Sequence, residues 1–520
     1  MKTKQLFFCS LTGLALLTAS CSSNDEALNG GDGTTSEGKT YAQIAISVAN
    51  SATTRTTTPG NTGDEAYGDD AEYTVNDLTV VLANENDIAM QVITPTLKTA
   101  TNTDDDDKLV RVTEPFKCTP GTYKVYVLAN YKNSQDALTP IIKGSTDMKA
   151  EFGITNIAKL STTDEFFMTN VSAPEGQEIK EAATGKELND AGKDETKEGA
   201  ATNLNILTVN VERAVSKVTF DNTDNQSFNV MVGDNKIATA TLEGASLINL
   251  NKKMYLVKEG RTATNKPAGV TDKWPYPMDP NYSQTSIDEA YCNANFEQRI
   301  ATNFPAPSAT KFYCPENTMA DAAQLNGQTT GVVYKVKYAP EAAYYTELAA
   351  ENGTDSYSKM YKKVLALGKT EIAPTITNTI FTKADTENGT FYSYNGYVFR
   401  SLAGARLYKA IATNTDGEAA TVNGAFKTEN NDGIQTYAEG YCYYTAWIKH
   451  NPGGTTMQQD KYGVVRNFWY ELKVNSIKKL GYSKPTYEKP TDPDDKAEAS
   501  IQVQVKIKKW RLVKQNVDLE

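Results

Sequence analysis

Few residues of this chain have types and spacing suited to covalent chemistry, and the first is a cysteine near the start. Lys2 and Lys4 precede an apolar run from Leu6 to Leu17, closed by Thr18-Ala19-Ser20-Cys21. A run that short is a signal-peptide core and not a membrane span. Small residues directly before a cysteine are a lipoprotein processing signal, which makes Cys21 the acylated first residue after cleavage. Thr18 departs from that pattern, standing where Leu or Val is more usual. The bland alternative is an ordinary signal peptide followed by an incidental cysteine.

The other reactive residues do not assemble. Cys118, Cys292, Cys314 and Cys442 remain once Cys9 and Cys21 are set aside. An exported chain permits disulfides among them, in more than one pairing, and buried free thiols are the other reading. No CxxC or Cys/His cluster exists, so no zinc site is expected. The only histidine, His450, lies in an aromatic segment without the Ser or Cys context of a hydrolase and reads as structural. No phosphate loop or dinucleotide fingerprint follows a strand pattern. Asp104 to Asp107 lack EF-hand spacing and read as a solvated turn, not a calcium loop. Carboxylates are plentiful, but nothing sets a glycosidase pair apart. No cofactor is expected and the chain does not read as an enzyme. A net charge of −11 with no basic patch excludes a nucleic-acid partner.

What remains is a chain of strands. Its 520 residues leave room for two domains or more. Thr, Asn, Tyr, Val and Gly are abundant and long heptads are absent, which points to an all-β fold. Ser22 to Lys39 reads as a flexible spacer. Ala42, Ile44, Ile46 and Val48 then alternate with Gln43, Ala45 and Ser47, which predicts a strand with one buried face. A polar loop, Ser51 to Gly63, follows and contains Arg55, the first arginine of the chain.

Leu78 to Ala83 and Ile88 to Ile93 flank a turn, and Thr122 to Ala129 is a strong strand pattern. Ser172 to Asn203 reads as a charged insertion. Ile206 to Val211 and Val215 to Phe220 resume the strands. Trp274 to Pro277 is a Pro-locked aromatic loop, and Pro340 to Glu351 is the best helix candidate. Gly440 to His450 and Val465 to Leu480 are aromatic-rich strands. Short strands separated by turn chemistry over this length predict β-sandwich domains.

The chain ends on an alternating strand, Ile501, Val503, Val505 and Ile507, with Trp510, Leu512, Val513, Val517 and Leu519 beyond it. The stretch before it, Ser483 to Ala499, is rich in Pro and Asp and has little apparent reason to pack. A strand on such a tether suggests a segment that docks elsewhere, as into another molecule.

Several of these segments resemble the Bacteroidales fimbrillin superfamily. They are Tyr123 to Asn130 (YKVYVLAN), Phe167 to Asn170 (FMTN), Val211 to Val218 (VERAVSKV) and Tyr313 to Met319 (YCPENTM). Tyr441 to Asn451 (YCYYTAWIKHN), Val465 to Gly481 (VRNFWYELKVNSIKKLG) and Trp510 to Leu519 (WRLVKQNVDL) complete the set. In order along the chain they look like the major subunit of short, Mfa-type fimbriae, a branch of the type V pilins. Asp25 and Glu26 resemble the acidic surface-export signal of Bacteroidetes lipoproteins.

The resemblance implies two tandem transthyretin-like β-sandwich domains with long loops and few short helices. It implies an outer-membrane lipoprotein precursor cut after an arginine by a trypsin-like or arginine-specific protease. The cut releases the first strand, and the C-terminal segment of an identical subunit fills the groove, head to tail, in a filament with anchor and tip subunits. Carried onto this chain, the cut falls between Arg55 and Thr56 and removes Ala42, Ile44, Ile46 and Val48. The incoming donor strand is Ile501, Val503, Val505 and Ile507, with Trp510 and Leu512. Small polar neighbours suit Arg55 to a protease site.

At roughly 1.5–3 kcal/mol for each buried Val or Ile, the four donor residues supply about 6–12 kcal/mol before association costs. The expected layout is then a signal peptide over 1–20 and a lipidated spacer with the removable strand over 21–55. Sandwich domains follow over 56–205 and 206–482, and the tether and donor strand take 483–520. The alternatives are a fimbrial anchor or tip subunit, and a surface glycan-binding lipoprotein with Trp274 and Tyr276 as a sugar platform.

Overall fold

A computed structural model describes residues 40–48, 65–98, 110–181, 204–222, 226–260, 276–307, 310–342, 388–414, 419–428, 430–485, 489–496 and 501–511. It is all-β with few short helices, and its strands gather into a curled sheet followed by a two-sheet sandwich. The opening strand, Thr40–Val48, lies inside the first sheet. That sheet runs Ala89–Ile93, Leu78–Ala83, Gly121–Ala129, Met168–Asn170, Asn205–Arg213, Thr40–Val48 and Val110–Val112. Gly176–Ile179 adds to Gly121–Ala129, and Phe116–Cys118 adds to the opening strand.

The sandwich faces two sheets. One runs Glu65–Tyr67, Ile501–Arg511, Phe468–Ile477, Val215–Phe220 and Phe312–Pro315. The other runs Ser227–Val232, Asn235–Ile248, Gly331–Pro340 and Tyr441–Trp447. Alternate residues point inward, as a pleated strand requires. Phe220 of one sheet meets Tyr334 of the other edge-on, with ring centroids 5.9 Å apart. Tyr444, Tyr470, Leu472 and Val336 fill the same layer and are buried.

The chain passes between the sheets at Ala214 and not at Asn205. Ile206 to Val211 resumes a strand pattern after a charged insertion, which in sequence resembles a new domain. Its partners, however, are the N-terminal strands Thr40–Val48 and Met168–Asn170. One apolar core runs through both halves of the described residues. A second correction concerns the expected helix over Pro340 to Glu351. Pro340 ends the strand Gly331–Pro340, where its missing N–H does no harm at a strand end, and residues 343–351 lie outside the described residues. The Asp104 to Asp107 run lies outside them too.

Candidate functional site

The opening strand is buried on both faces. Ala42, Ile44 and Ile46 are fully buried and Val48 nearly so, as the alternation predicts, but Tyr41 and Ala45 on the other face are buried as well. Neither edge of the strand is free. Along one edge the strand runs parallel to the strand Asn205–Arg213, in register from Ala42 opposite Asn205 to Val48 opposite Val211. Along the other it runs antiparallel to Phe116–Cys118 at Thr40 to Ala42, and to Val110–Val112 at Ala45 to Ser47.

Side chains lock the register. Thr40 Oγ1 donates to the Lys180 carbonyl at 2.8 Å, and Asn205 Nδ2 donates to the Tyr41 carbonyl at 3.0 Å. Thr113 bridges the gap between the two antiparallel partners. Its N–H donates to the Ile44 carbonyl at 2.9 Å and its Oγ1 accepts from the Ile44 N–H at 3.1 Å. Taking this strand out would leave two facing rows of unpaired backbone groups and a row of uncovered side chains, the kind of edge that recruits a new strand.

The closing strand, Ile501–Arg511, pairs antiparallel with Phe468–Ile477 of its own chain. Ile501 lies opposite Ile477, Val503 opposite Val474, Val505 opposite Leu472 and Ile507 opposite Tyr470. Val505 belongs to the core, Val503 packs against it, and Gln504 is exposed. Trp510 lies opposite Ala66 of the short strand Glu65–Tyr67. Cys21, Arg55, Thr56 and Leu512 lie outside the described residues.

The described residues before the closing strand, 481–485 and 489–496, pack closely, contrary to the loose tether expected from the composition. The Tyr482 and Tyr443 backbones exchange hydrogen bonds at 2.8 Å in each direction. The Gly327 N–H donates to the Pro490 carbonyl at 2.8 Å, and the Asn326 N–H to the Asp492 carbonyl at 2.9 Å. Asp494 is buried and accepts from Thr329 Oγ1 at 2.5 Å. Asp495 accepts from Lys461 Nζ, the Tyr462 hydroxyl and the Met457 N–H, each at 2.6 Å. Composition hid this because the aspartates act as acceptors for groups distant in sequence, a pairing that no local pattern records.

The second feature that sequence reasoning missed is a buried charge cluster at the junction of the two halves. Glu72 Oε1 accepts from Lys217 Nζ and from the Tyr313 hydroxyl, both at 2.6 Å, and the Glu72 and Lys217 side chains are each 2% exposed. Arg213 donates Nε to the Glu72 carbonyl at 3.0 Å and Nη1 to Asn467 Oδ1 at 2.7 Å. Burial pulls the Lys217 ammonium down from its ordinary value against the opposing pull of Glu72, and burial with the Glu72 hydrogen bond pushes the Tyr313 phenol up. The one signal in sequence was an Arg and a Lys within the segment Val211 to Val218 (VERAVSKV), between two strand patterns.

The remaining candidates turn inward. His450 is buried, with Nδ1 2.6 Å from the Tyr470 hydroxyl, which fits the structural reading. Tyr276 is also buried. Its hydroxyl donates to the Tyr462 carbonyl at 2.5 Å and accepts from the Met319 N–H at 2.9 Å, so it presents no face to a sugar. Trp274 lies outside the described residues. Cys118, Cys292, Cys314 and Cys442 are buried free thiols.

Two family models match the chain. The model described as major fimbrial subunit protein (FimA) takes residues 42–256, beginning inside the opening strand. The model described as major fimbrial subunit protein type IV, fimbrillin, C-terminal, takes residues 435–516 and includes the closing strand. No curated protein matches the chain. Among solved structures, a fimbrilin of Porphyromonas gingivalis is similar at 12% identity and a TM-score of 0.38, covering 92% of this chain and 99% of its own. A candidate cell adhesion protein of Bacteroides eggerthii is similar at 12% identity and a TM-score of 0.39, covering 92% and 98%. The tip fimbrial protein Mfa3 of Porphyromonas gingivalis is similar at 11% identity and a TM-score of 0.30, covering 91% and 99%. The two family matches, which together take in more than half of the sequence, carry the assignment: the chain belongs to the Bacteroidales fimbrillin superfamily.

Proposed function

We propose that this fimbrial subunit builds the shaft of a cell-surface filament. It is exported with a lipid on Cys21, cut between Arg55 and Thr56, and joined to the next copy by exchange of one strand for another. The opening strand leaves with the lipid, and the closing strand of an identical subunit takes its place. The lipid is then a delivery device lost with the strand, and the protease is trypsin-like or arginine-specific.

One observation carries this reading. The strand that precedes Arg55 is an interior strand with both edges paired and its apolar side chains buried. A strand in that position is held by its neighbours along its length, so its removal makes a groove fitted to a single strand and nothing smaller. The interface formed by filling it is head to tail and does not close on itself, so it propagates.

The energy of exchange is smaller than the burial of four donor side chains suggests. The closing strand already pairs along Phe468–Ile477 and buries Val505. Moving it gains only the difference between the two sites, and the main driving force is the emptied groove.

Sequencing the N-terminus of protein sheared from cells tests the reading. Filament subunits beginning at Thr56 are expected. Filament subunits that still begin at a lipidated Cys21 would overturn the cut and favour an anchoring role.

A further inference from the structure

Glu65–Tyr67 is a short strand without apolar alternation, and it pairs far from its neighbours in sequence. The opening strand before it and Leu78–Ala83 after it both belong to the first sheet. Glu65–Tyr67 instead joins the sandwich, parallel to the end of the closing strand, with Glu65 opposite Lys509, Ala66 opposite Trp510 and Tyr67 opposite Arg511. A strand of that length does not hold itself in place.

Its anchor is the segment that follows. Asp69 pairs with Lys311, and Glu72 is bound by Lys217 and Tyr313. Lys217 lies on Val215–Phe220 and Tyr313 on Phe312–Pro315, the two strands at the opposite side of the same sheet. Residues 65–72 therefore cross the end of the sheet, from the position of Glu65–Tyr67 past the closing strand and Phe468–Ile477 to Val215–Phe220, a distance of about 14 Å at ordinary strand spacing.

The crossing changes how the closing strand is held. Lys509 is paired on both edges, with Phe468 on one side and Glu65 on the other. Trp510 and Arg511 extend past Phe468 and pair with Ala66 and Tyr67. Upstream, from Ile501 to Lys508, ladder pairing among the described residues is with Phe468–Ile477 alone.

We infer that residues 65–72 form an intramolecular strap that retains the far end of the closing strand on its own subunit. Its role in assembly rests on the donor assignment proposed above; the retention itself does not. Because the strap follows Arg55 in the chain, it stays with the body when the cut is made. The cut then empties the groove without freeing the donor. A free closing strand on the same molecule would compete for its own groove at high effective concentration. The strap suppresses that self-insertion until a partner subunit draws the strand away.

The test is hydrogen exchange on the uncut full-length monomer carrying Ala66→Pro, which removes an N–H and blocks the short ladder without touching Glu72. Glu72→Gln, which loosens the anchor, is the second variant. In both, exchange across residues 501–511 should rise by about tenfold or more; in Ala66→Pro residues 40–48 keep wild-type protection as the control for folding, and in Glu72→Gln the rise over 501–511 exceeds any rise over 40–48. Wild-type exchange rates over 501–511 in folded Ala66→Pro would overturn the strap. If exchange rises in both variants but ladder formation after arginine-specific cleavage is unchanged, retention stands and the donor role of the closing strand falls.

Discussion

Asp494 and Asp495 are neighbours in the chain with opposite electrostatic settings. Burial holds the Asp494 carboxyl well above its ordinary value, because among the described residues Thr329 is its one side-chain donor and Oδ1 finds no partner. Asp495 also feels burial, but hydrogen bonds from Lys461, Tyr462 and the Met457 N–H outweigh it and hold its carboxyl below the ordinary value. One residue resists ionisation and the next depends on it.

The pH dependence of the clasp follows from those directions. For Asp494 the folded state keeps a proton that the unfolded state loses, so stability falls as pH rises from the ordinary carboxyl range toward its raised value. For Asp495 the stabilisation is full above the ordinary range and is lost as pH falls through its lowered value. Of the two, only Asp494 makes stability depend on pH above the ordinary carboxyl range. Asp494→Asn should therefore melt at a higher temperature than wild type at neutral pH, and the difference should shrink as the pH is lowered toward 4 (about the ordinary carboxyl value). A difference that stays constant over that range would show that Asp494 is ionised in the folded protein.

The Glu72–Lys217 pair should behave as a unit. Removing one partner leaves the other charge buried, so Glu72→Gln or Lys217→Met should each cost about 3–5 kcal/mol. The double variant should lose less than the sum, because neither Glu72 nor Lys217 is then left as a lone buried charge. A denaturant double-mutant cycle reads the coupling directly. Additive losses would mean that Lys217 is held mainly by its position over the Trp469 ring, 4.0 Å from the centroid.

Ile44→Ala should destabilise the uncut precursor by about 2–5 kcal/mol, since the side chain is fully buried. After cleavage and loss of the opening strand the same substitution should change nothing. Thermal melting before and after arginine-specific cleavage measures both. A loss that persists in the processed subunit would mean that the strand stays in place after the cut.

Deleting 501–520 should stop ladder formation and also weaken the monomer. The deletion uncovers the edge of Phe468–Ile477 and removes Val505 from the core. A loss of at least about 2 kcal/mol is expected from Val505 and Val503 alone. Unchanged denaturant stability in the truncated protein would show that the closing strand does not complete its own sheet in solution.

The buried thiols should be silent. Burial pushes Cys118 and Cys314 up to about 12 and Cys442 up to about 11. Little thiolate is present at neutral pH and reagents cannot reach it. Peptide mapping after mild alkylation should find Cys118, Cys292, Cys314 and Cys442 unmodified in the native protein and modified after unfolding. Reductant should not shift the melting temperature.

Strong local periodicity made much of the fold legible before any coordinates. Leu78 to Ala83 and Val215 to Phe220 are strands over the residues that their patterns mark. The segments that sequence missed are those whose structure comes from distant partners. Glu65–Tyr67 has no alternation and is a strand because Lys509–Arg511 lies beside it. Asp494 and Asp495 read as solvated charge, yet they are docked by Thr329, Lys461 and Tyr462. Pro340 carries a helix-start signature, but the strand Gly331–Pro340 is already committed to ladders on both sides before it ends. Tyr276 lies in a loop rich in proline and aromatic residues, and only the fold reveals that its hydroxyl faces inward to Met319 and Tyr462.

The mixed ladders of the opening strand have one further consequence. It is parallel to the strand Asn205–Arg213 and antiparallel to Val110–Val112 and Phe116–Cys118. Any strand that replaces it and keeps both sets of bonds must run in the same direction, entering beside Cys118 and leaving beside Val211. The body of the incoming chain, which precedes its closing strand, would then lie at the Cys118 end of every junction. A fibre assembled this way has polarity: all its subunits point the same way, and its two ends are chemically different, one offering an empty groove and the other an unplaced strand.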